Sequence, residues 1–144
     1  MISPLASVDP QAKIGNNVTI SPFAFVEGDV HIGDDTWIGP NAVIMNGSRI
    51  GKKCRIFPGA VISAIPQDLK FDGEQTTTEI GDNTTIRECV TLNRGTKDKW
   101  KTSIGSNCLL MAYVHVAHDC AIGNNVILAN SVNIAGHVVI EDWV

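Results

Sequence analysis

Every sixth residue of this chain is aliphatic over most of its length. The series Ile2, Val8, Ile14, Ile20, Val26, Ile32, Ile38, Ile44, Ile50, Ile56 and Ile62 returns in the same phase at Ile80, Ile86 and Leu92. It returns again at Ile104, Leu110, Val116, Ile122, Leu128, Ile134 and Ile140, so the phase lapses only at Asp68, Glu74 and Asp98. Four residues after each aliphatic stands a small or β-branched side chain: Ala6, Ala12, Val18, Ala24, Val30, Thr36, Ala42, Ser48, Cys54, Ala60. Glycine often follows the aliphatic, as at Gly15, Gly33, Gly51 and Gly123, and then come pairs such as Asn16-Asn17, Asp34-Asp35 and Asn124-Asn125. Those residues tolerate left-handed backbone. No stretch between caps carries apolar residues at the i, i+3, i+4, i+7 spacing of an amphipathic helix.

A fixed internal period takes precedence over other fold arguments. One hexad supplies one short flat strand and one tight corner, with a large aliphatic and a small residue both pointing inward. Three such sides close a triangular coil of about eighteen residues, and coils stack at about 4.8 Å, the strand spacing of a sheet. The second inward residue is small because so narrow a prism cannot hold two large side chains per side. The pattern predicts an all-β chain, a left-handed parallel β-helix, an exception to the usual right-handed crossover. A β-sandwich would need alternating strands and hairpin turns, and would have no reason to hold one phase from Ile2 to Ile140.

The two lapses predict two projecting loops, one over roughly residues 63–79 and one over roughly 97–103. A solenoid accepts insertions at its corners, pointing outward, and such loops often build a binding face. The first carries Gln67, Asp68 and Lys70 close together, which is equipment for hydrogen bonding and for neutralising phosphate. The second is locally basic, with Arg94, Lys97, Lys99 and Lys101, and reads more simply as a solvated corner.

Composition narrows the picture further. At 144 residues the chain predicts one domain. Hydrophobic residues make up 44% and the net charge is −4, which argue against disorder and against a general nucleic-acid binder. The start, Met1-Ile2-Ser3-Pro4-Leu5-Ala6, lacks the basic and apolar regions of a signal peptide, and no stretch approaches membrane-spanning length. Cys54, Cys108 and Cys120 fall in the small inward series and read as core filler. Cys89 lies outside it and is assigned no role. A cytoplasmic protein with reduced thiols is the expectation.

Among the four histidines, His31 reads as a surface residue. His118 and His137 are nineteen apart in uninterrupted repeat, so one coil places them nearly above each other, and His115 lies one short side away from His118. This predicts a cluster of three imidazoles on adjacent coils, for which two explanations stand. Zinc would suit histidines on such a fold, but the spacings of three and nineteen differ from those of the zinc-binding carbonic anhydrases of this class. They use a histidine pair about five apart and a third some thirty-five residues earlier. Asp119 follows His118 directly, and an aspartate beside a histidine can orient the ring and raise its basicity. A catalytic base with no metal is the favoured reading.

The stretch Met111-Ala112-Tyr113-Val114-His115-Val116-Ala117-His118-Asp119-Cys120, continuing through Ile127-Leu128-Ala129-Asn130 to Ala135-Gly136-His137-Val138, resembles the catalytic region of the UDP-N-acetylglucosamine O-acyltransferases. So do Gln67-Asp68-Leu69-Lys70-Phe71 with Gly73-Glu74, and Ile86-Arg87-Glu88 with Asn93-Arg94-Gly95-Thr96. The resemblance covers essentially the whole chain. It implies transfer of a (3R)-hydroxyacyl group from acyl carrier protein to the glucosamine 3-hydroxyl of UDP-N-acetylglucosamine, the first step of lipid A biosynthesis, without a cofactor. It implies His118 as general base, Asp119 as its orienting partner, and Gly136 as donor of a backbone N–H to the oxyanion. Gln67, Asp68 and Lys70 would contact the nucleotide sugar, with Lys70 near its phosphates, and His115 and His137 would line the sugar and pantetheine region. Asn93 stands where many members have histidine, so that substrate contact would be altered or taken by an amide. Members continue past the equivalent of Val144 with further coils and a helical C-terminal domain, so a truncated chain is expected. A related sugar-nucleotide N-acyltransferase would usually begin with an extra N-terminal domain, and a non-catalytic scaffold would not need the His115, His118, Asp119, His137 group.

The residue before each inward aliphatic points out. One side so reads Ser7, Phe25, Val43, Val61, His115 and Asn133; another Thr19, Trp37, Arg55, Leu109 and Ile127; the third begins Lys13, His31, Arg49. Phe25, Val43 and Val61 predict an exposed apolar stripe, of the kind that marks an interface. Taken with the family's homotrimers, this predicts a cyclic trimer packed through that side, with His118 of one subunit facing the inserted loop of another.

Overall fold

The computed structural model describes residues 1–144. It contains three parallel sheets of seven, seven and six strands and no helix. The chain visits the faces in strict rotation. The first face begins with Ser7–Val8, Phe25–Val26 and Val43–Ile44; the second with Lys13–Ile14, His31–Ile32 and Ser48–Ile50; the third with Thr19–Ile20, Trp37–Ile38 and Arg55–Ile56. This is the left-handed parallel β-helix that the hexads predict.

The inward aliphatics Ile20, Ile38, Ile44, Ile56, Ile62, Ile86, Leu92 and Leu110 are wholly buried and belong to one continuous core. Between them sit the small residues, including the thiols of Cys54, Cys108 and Cys120. Two hydroxyls in this series find a carbonyl on the neighbouring coil, Thr36 Oγ1 donating to Gly51 O (2.9 Å) and Thr84 Oγ1 to Gly105 O (2.7 Å), while the buried Thr78 Oγ1 has no partner. A buried polar atom so satisfied costs little.

The corner between the second and third faces shows why the turn residues recur. The second member of each pair takes the left-handed conformation, with φ of 56° at Asn17, 61° at Asp35 and 58° at Asn125. The first member reaches to the coil before it: Asp34 Oδ1 accepts the Asn16 N–H (2.8 Å) and Asn124 Oδ1 the Ser106 N–H (2.8 Å). At Gly15 a Cβ would lie 2.5 Å from Asp34 Oδ1, so the close approach of successive coils requires glycine there.

Both insertions leave the same corner, between the first and second faces. The first runs over residues 65–76, between Val61–Ala64 and Thr77–Ile80, and the second over 94–100, between Thr91–Asn93 and Lys101–Ile104. The strands thus claim several residues at the edges of the predicted loops. Val61 pairs with Thr91, and Thr91 with His115, where an uninterrupted coil would pair residues eighteen apart. The first insertion therefore adds two hexads to its coil and the second adds one, which is why the aliphatic phase survives both. The outward ladder Ser7, Phe25, Val43, Val61, Thr91, His115, Asn133 is in register as predicted, with Thr91 completing it.

Candidate active site

Five levels of one corner build the site. From the N-terminal end they carry Asn46-Gly47, the first insertion, the second insertion, His118-Asp119 and Gly136-His137. Asp119 and His137, one coil apart, both take left-handed backbone (φ 60° and 64°), the conformation that turns this corner.

The Asp119 side chain is fully buried and that of His118 is 13% exposed. Asp119 Oδ2 lies 2.8 Å from His118 Nδ1 and also accepts the Thr96 hydroxyl at 2.5 Å; Oδ1 accepts the Thr96 N–H (2.9 Å) and the Lys99 N–H (3.1 Å). Burial alone would push this carboxyl up. The donors from Thr96, His118 and Lys99 outweigh it and hold the group below the usual carboxylate value. An ionised carboxylate only accepts, so Nδ1 is the protonated ring nitrogen and Nε2 carries the lone pair. Asp119 is pinned from behind as well, its own N–H donating to Thr102 Oγ1 (2.9 Å).

His118 Nε2 lies 3.8 Å from Asp68 Oδ2, while the His137 ring meets the His118 ring edge to face, centroids 4.9 Å apart. His137 Nδ1 pairs with Asp98 Oδ2 at 3.0 Å. Gly136 stands against the ring: a Cβ there would come within 2.8 Å of both His118 Cε1 and Nε2. The Gly136 N–H donates to no acceptor of the chain. Beside these residues lies a cleft of about 580 Å³ lined by Asp68, Lys70, Glu74, Thr96, Lys97, Asp98 and His137, none of them hydrophobic. The insertions clasp each other above it, Glu74 Oε2 accepting the Lys97 N–H (3.2 Å) and the Arg94 guanidinium lying 5.3 Å from the centre of the Phe71 ring.

The structure thus brings together His118, Asp119, Gly136, His137, Asp68 and Lys70. It places three others elsewhere. Gln67 is exposed on the first insertion and does not line the cleft. His115 stands on the first face with Nδ1 2.7 Å from Thr91 Oγ1, its pKa lowered by burial, so the expected trio of imidazoles is an edge-to-face pair with the third on an adjoining face. Asn93 is 2% exposed and its Oδ1 has no hydrogen-bond partner, so its side chain is walled into the coil. The first insertion of the same chain reaches His118 through Asp68. Lys97 lines the cleft and is not merely part of a solvated corner. Sequence reasoning missed Thr96, Glu74 and Asp98. A signal was present for two of them, since Asp68, Glu74 and Asp98 are the three positions where the aliphatic phase lapses, and all three line the cleft.

His118, Asp119 and His137 offer ligand atoms within 4.8 Å of one another. Both Asp119 oxygens are already engaged, and His118 Nδ1 is bound to one of them. The donor set is that of an oriented histidine rather than of a metal cage.

The bacterial transferase hexapeptide model (six repeats) matches residues 29–64 and 101–136, half of the chain. This chain belongs to the bacterial hexapeptide transferase family. Along nearly its whole length it is similar to proteins named acyl-[acyl-carrier-protein]–UDP-N-acetylglucosamine O-acyltransferase. That of Alkalilimnicola ehrlichii is 62% identical over 98% of this chain and 55% of its own length, and that of Janthinobacterium sp. is 54% identical over 100% and 55%. The crystal structure of a UDP-N-acetylglucosamine acyltransferase from Bacteroides fragilis superposes with a TM-score of 0.98 at 59% identity, covering 99% of this chain and 56% of that one. The chain spans about half the length of these relatives.

Gly136 does not take a left-handed φ, so space rather than backbone freedom excludes a side chain there. Gly136→Ala should push the His118 ring off Asp119, abolishing the downfield Nδ1 proton resonance of that hydrogen bond, with an overpacking cost of about 1–3 kcal/mol. Proton NMR with a denaturant melt checks both; an unchanged resonance would mean that the ring has room to spare.

Proposed function

We propose that this chain carries the acyl-transfer site of an acyltransferase that moves a (3R)-hydroxyacyl group from acyl carrier protein to the 3-hydroxyl of UDP-N-acetylglucosamine, opening lipid A biosynthesis. One observation carries the reading: a histidine oriented by a buried carboxylate, its free Nε2 against a glycine with an uncommitted N–H. The names and identities of the relatives supply the substrates.

In this reading His118 Nε2 removes the proton as the sugar 3-oxygen attacks the thioester carbonyl. Asp119 stabilises the imidazolium that forms. The Gly136 N–H donates to the oxyanion, a preorganised donor of the kind worth about 10²–10³-fold in acyl transfer. The intermediate collapses by breaking the C–S bond, and the imidazolium returns its proton to the leaving thiolate, giving the ester and the carrier's thiol. The step uses neither metal nor cofactor. Asp68 and Lys70, which line the cleft, are assigned to the nucleotide sugar, with Lys70 toward the diphosphate. Gln67 on the same insertion and His115 on the adjoining face are assigned to outer parts of the substrates, His137 to the rim, and the walled-in Asn93 to supporting the second insertion. The reading places the protein in the cytoplasm, and no helix is long and apolar enough to cross a membrane.

Assembly into a cyclic homotrimer belongs to the same proposal. Phe25 is 43% exposed and stacks in register with the half-buried Val43 and Val61, leaving an apolar stripe up the first face. His115 stands on that face too, so packing there brings a neighbour close to the site.

In the full-length protein, His118→Ala should lower turnover by about 10²–10⁴-fold and leave UDP-N-acetylglucosamine binding within about twofold. Steady-state kinetics with calorimetric binding tests this; near-normal turnover would sink the mechanism, and loss of activity to a chelator would point to a metal instead. Val43→Glu should dissociate the assembly by burying an unpaired charge, as read by sedimentation velocity. A trimer indifferent to that change would mean that another face packs.

A further inference from the structure

The second insertion does more than wall the cleft, because it supplies three of the four donors that hold the Asp119 carboxylate. Two come from one residue. Thr96, 6% exposed, gives its N–H to Oδ1 (2.9 Å) and its hydroxyl to Oδ2 (2.5 Å), the oxygen that also holds His118 Nδ1. The third is the Lys99 N–H to Oδ1. The hydroxyl is itself tied into the turn, accepting the Asp98 N–H at 3.2 Å, so the insertion's fold and the carboxylate's position are set by one side chain.

We propose that Thr96 is a positioning residue for acyl transfer, which aims Asp119 at His118. This rests on the reading of His118 as the general base. The effect follows from where the hydroxyl donates. It fixes the carboxylate plane, so Oδ2 stays in line with Nδ1–H and Nε2 stays turned toward Asp68. Without the hydroxyl, the carboxylate is held through Oδ1 alone by the insertion, and the ring loses its aim.

The other charged groups facing this pair are few. Asp68 and the His137 ring, with Asp98 behind it, face His118; Cys120, Lys99 and Lys101 border the cavity on the far side of Asp119. None of them donates a side-chain hydrogen bond to Asp119. Thr96 is the only side chain besides His118 that does.

The test is steady-state kinetics of the full-length Thr96→Val and Thr96→Ser variants, beside His118→Ala. Thr96→Val should lower kcat about tenfold or more, a part of the general-base contribution, with KM for the nucleotide sugar within about twofold. The downfield Nδ1 proton resonance of the His118–Asp119 hydrogen bond should be lost or broadened in the same variant, and Thr96→Ser should restore both. If Thr96→Val does not fold, Thr96→Ala removes the same hydroxyl with less bulk and is read in the same way. Wild-type kcat and an unchanged resonance in the hydroxyl-less variant, with His118→Ala inactive, would overturn the role of Thr96 alone. A fully active His118→Ala would overturn the base itself.

Discussion

The backbone of each coil hydrogen-bonds to the next, eighteen residues on wherever no insertion intervenes, and this register governs everything else in the molecule. Residues that share a hexad position are held about 4.8 Å apart up one face or one corner, so a feature placed on a corner recurs on it. The core obeys the rule with aliphatic and small side chains in alternation. The site obeys it too: both insertions, His118-Asp119 and Gly136-His137 occupy one corner at successive levels. Because the insertions come in whole hexads, the coils above them resume in phase, and His118 arrives directly over the second insertion.

A buried carboxylate has to be supported at that corner. Removing a partner from a buried charge costs about 3–5 kcal/mol, and Asp119 is the one acidic residue buried in the chain. Its support comes from backbone N–H groups of the second insertion and from two side chains, which together keep it ionised against the effect of burial. The three donors from Thr96 and Lys99 also set the tautomer of His118, because an ionised carboxylate can only accept from Nδ1. Stability and chemistry meet in one group: what makes Asp119 tolerable in the wall of the coil also orients His118 and leaves its Nε2 free.

The fold was legible in the sequence because a six-residue period admits few architectures, and the outward ladder from Ser7 to Asn133 could be read on both sides of the insertions, missing only Thr91 between them. The His118-Asp119 pair and Gly136 were legible from the motifs around them. The trio of imidazoles was not, because counting along a short side does not tell a face from a corner, and His115 is on the face. Asn93 follows an inward aliphatic at the point where the second insertion departs, and its amide is closed in by the fold rather than by anything in its local sequence. Thr96 lies 23 residues from the carboxylate it holds, a separation set by the path of the insertion rather than by the hexads. Asp68, Glu74 and Asp98 were visible throughout as lapses of the aliphatic phase, since a charged residue in an inward position is tolerated only where the coil has opened outward.

The most direct measurement is a crystal structure of the full-length protein with UDP-N-acetylglucosamine bound. The account predicts the glucosamine 3-hydroxyl within hydrogen-bonding distance of His118 Nε2, on the side of the ring that Gly136 leaves open, with Lys70 toward the diphosphate. A nucleotide sugar bound away from this corner, or with its 3-hydroxyl turned from His118, would contradict it.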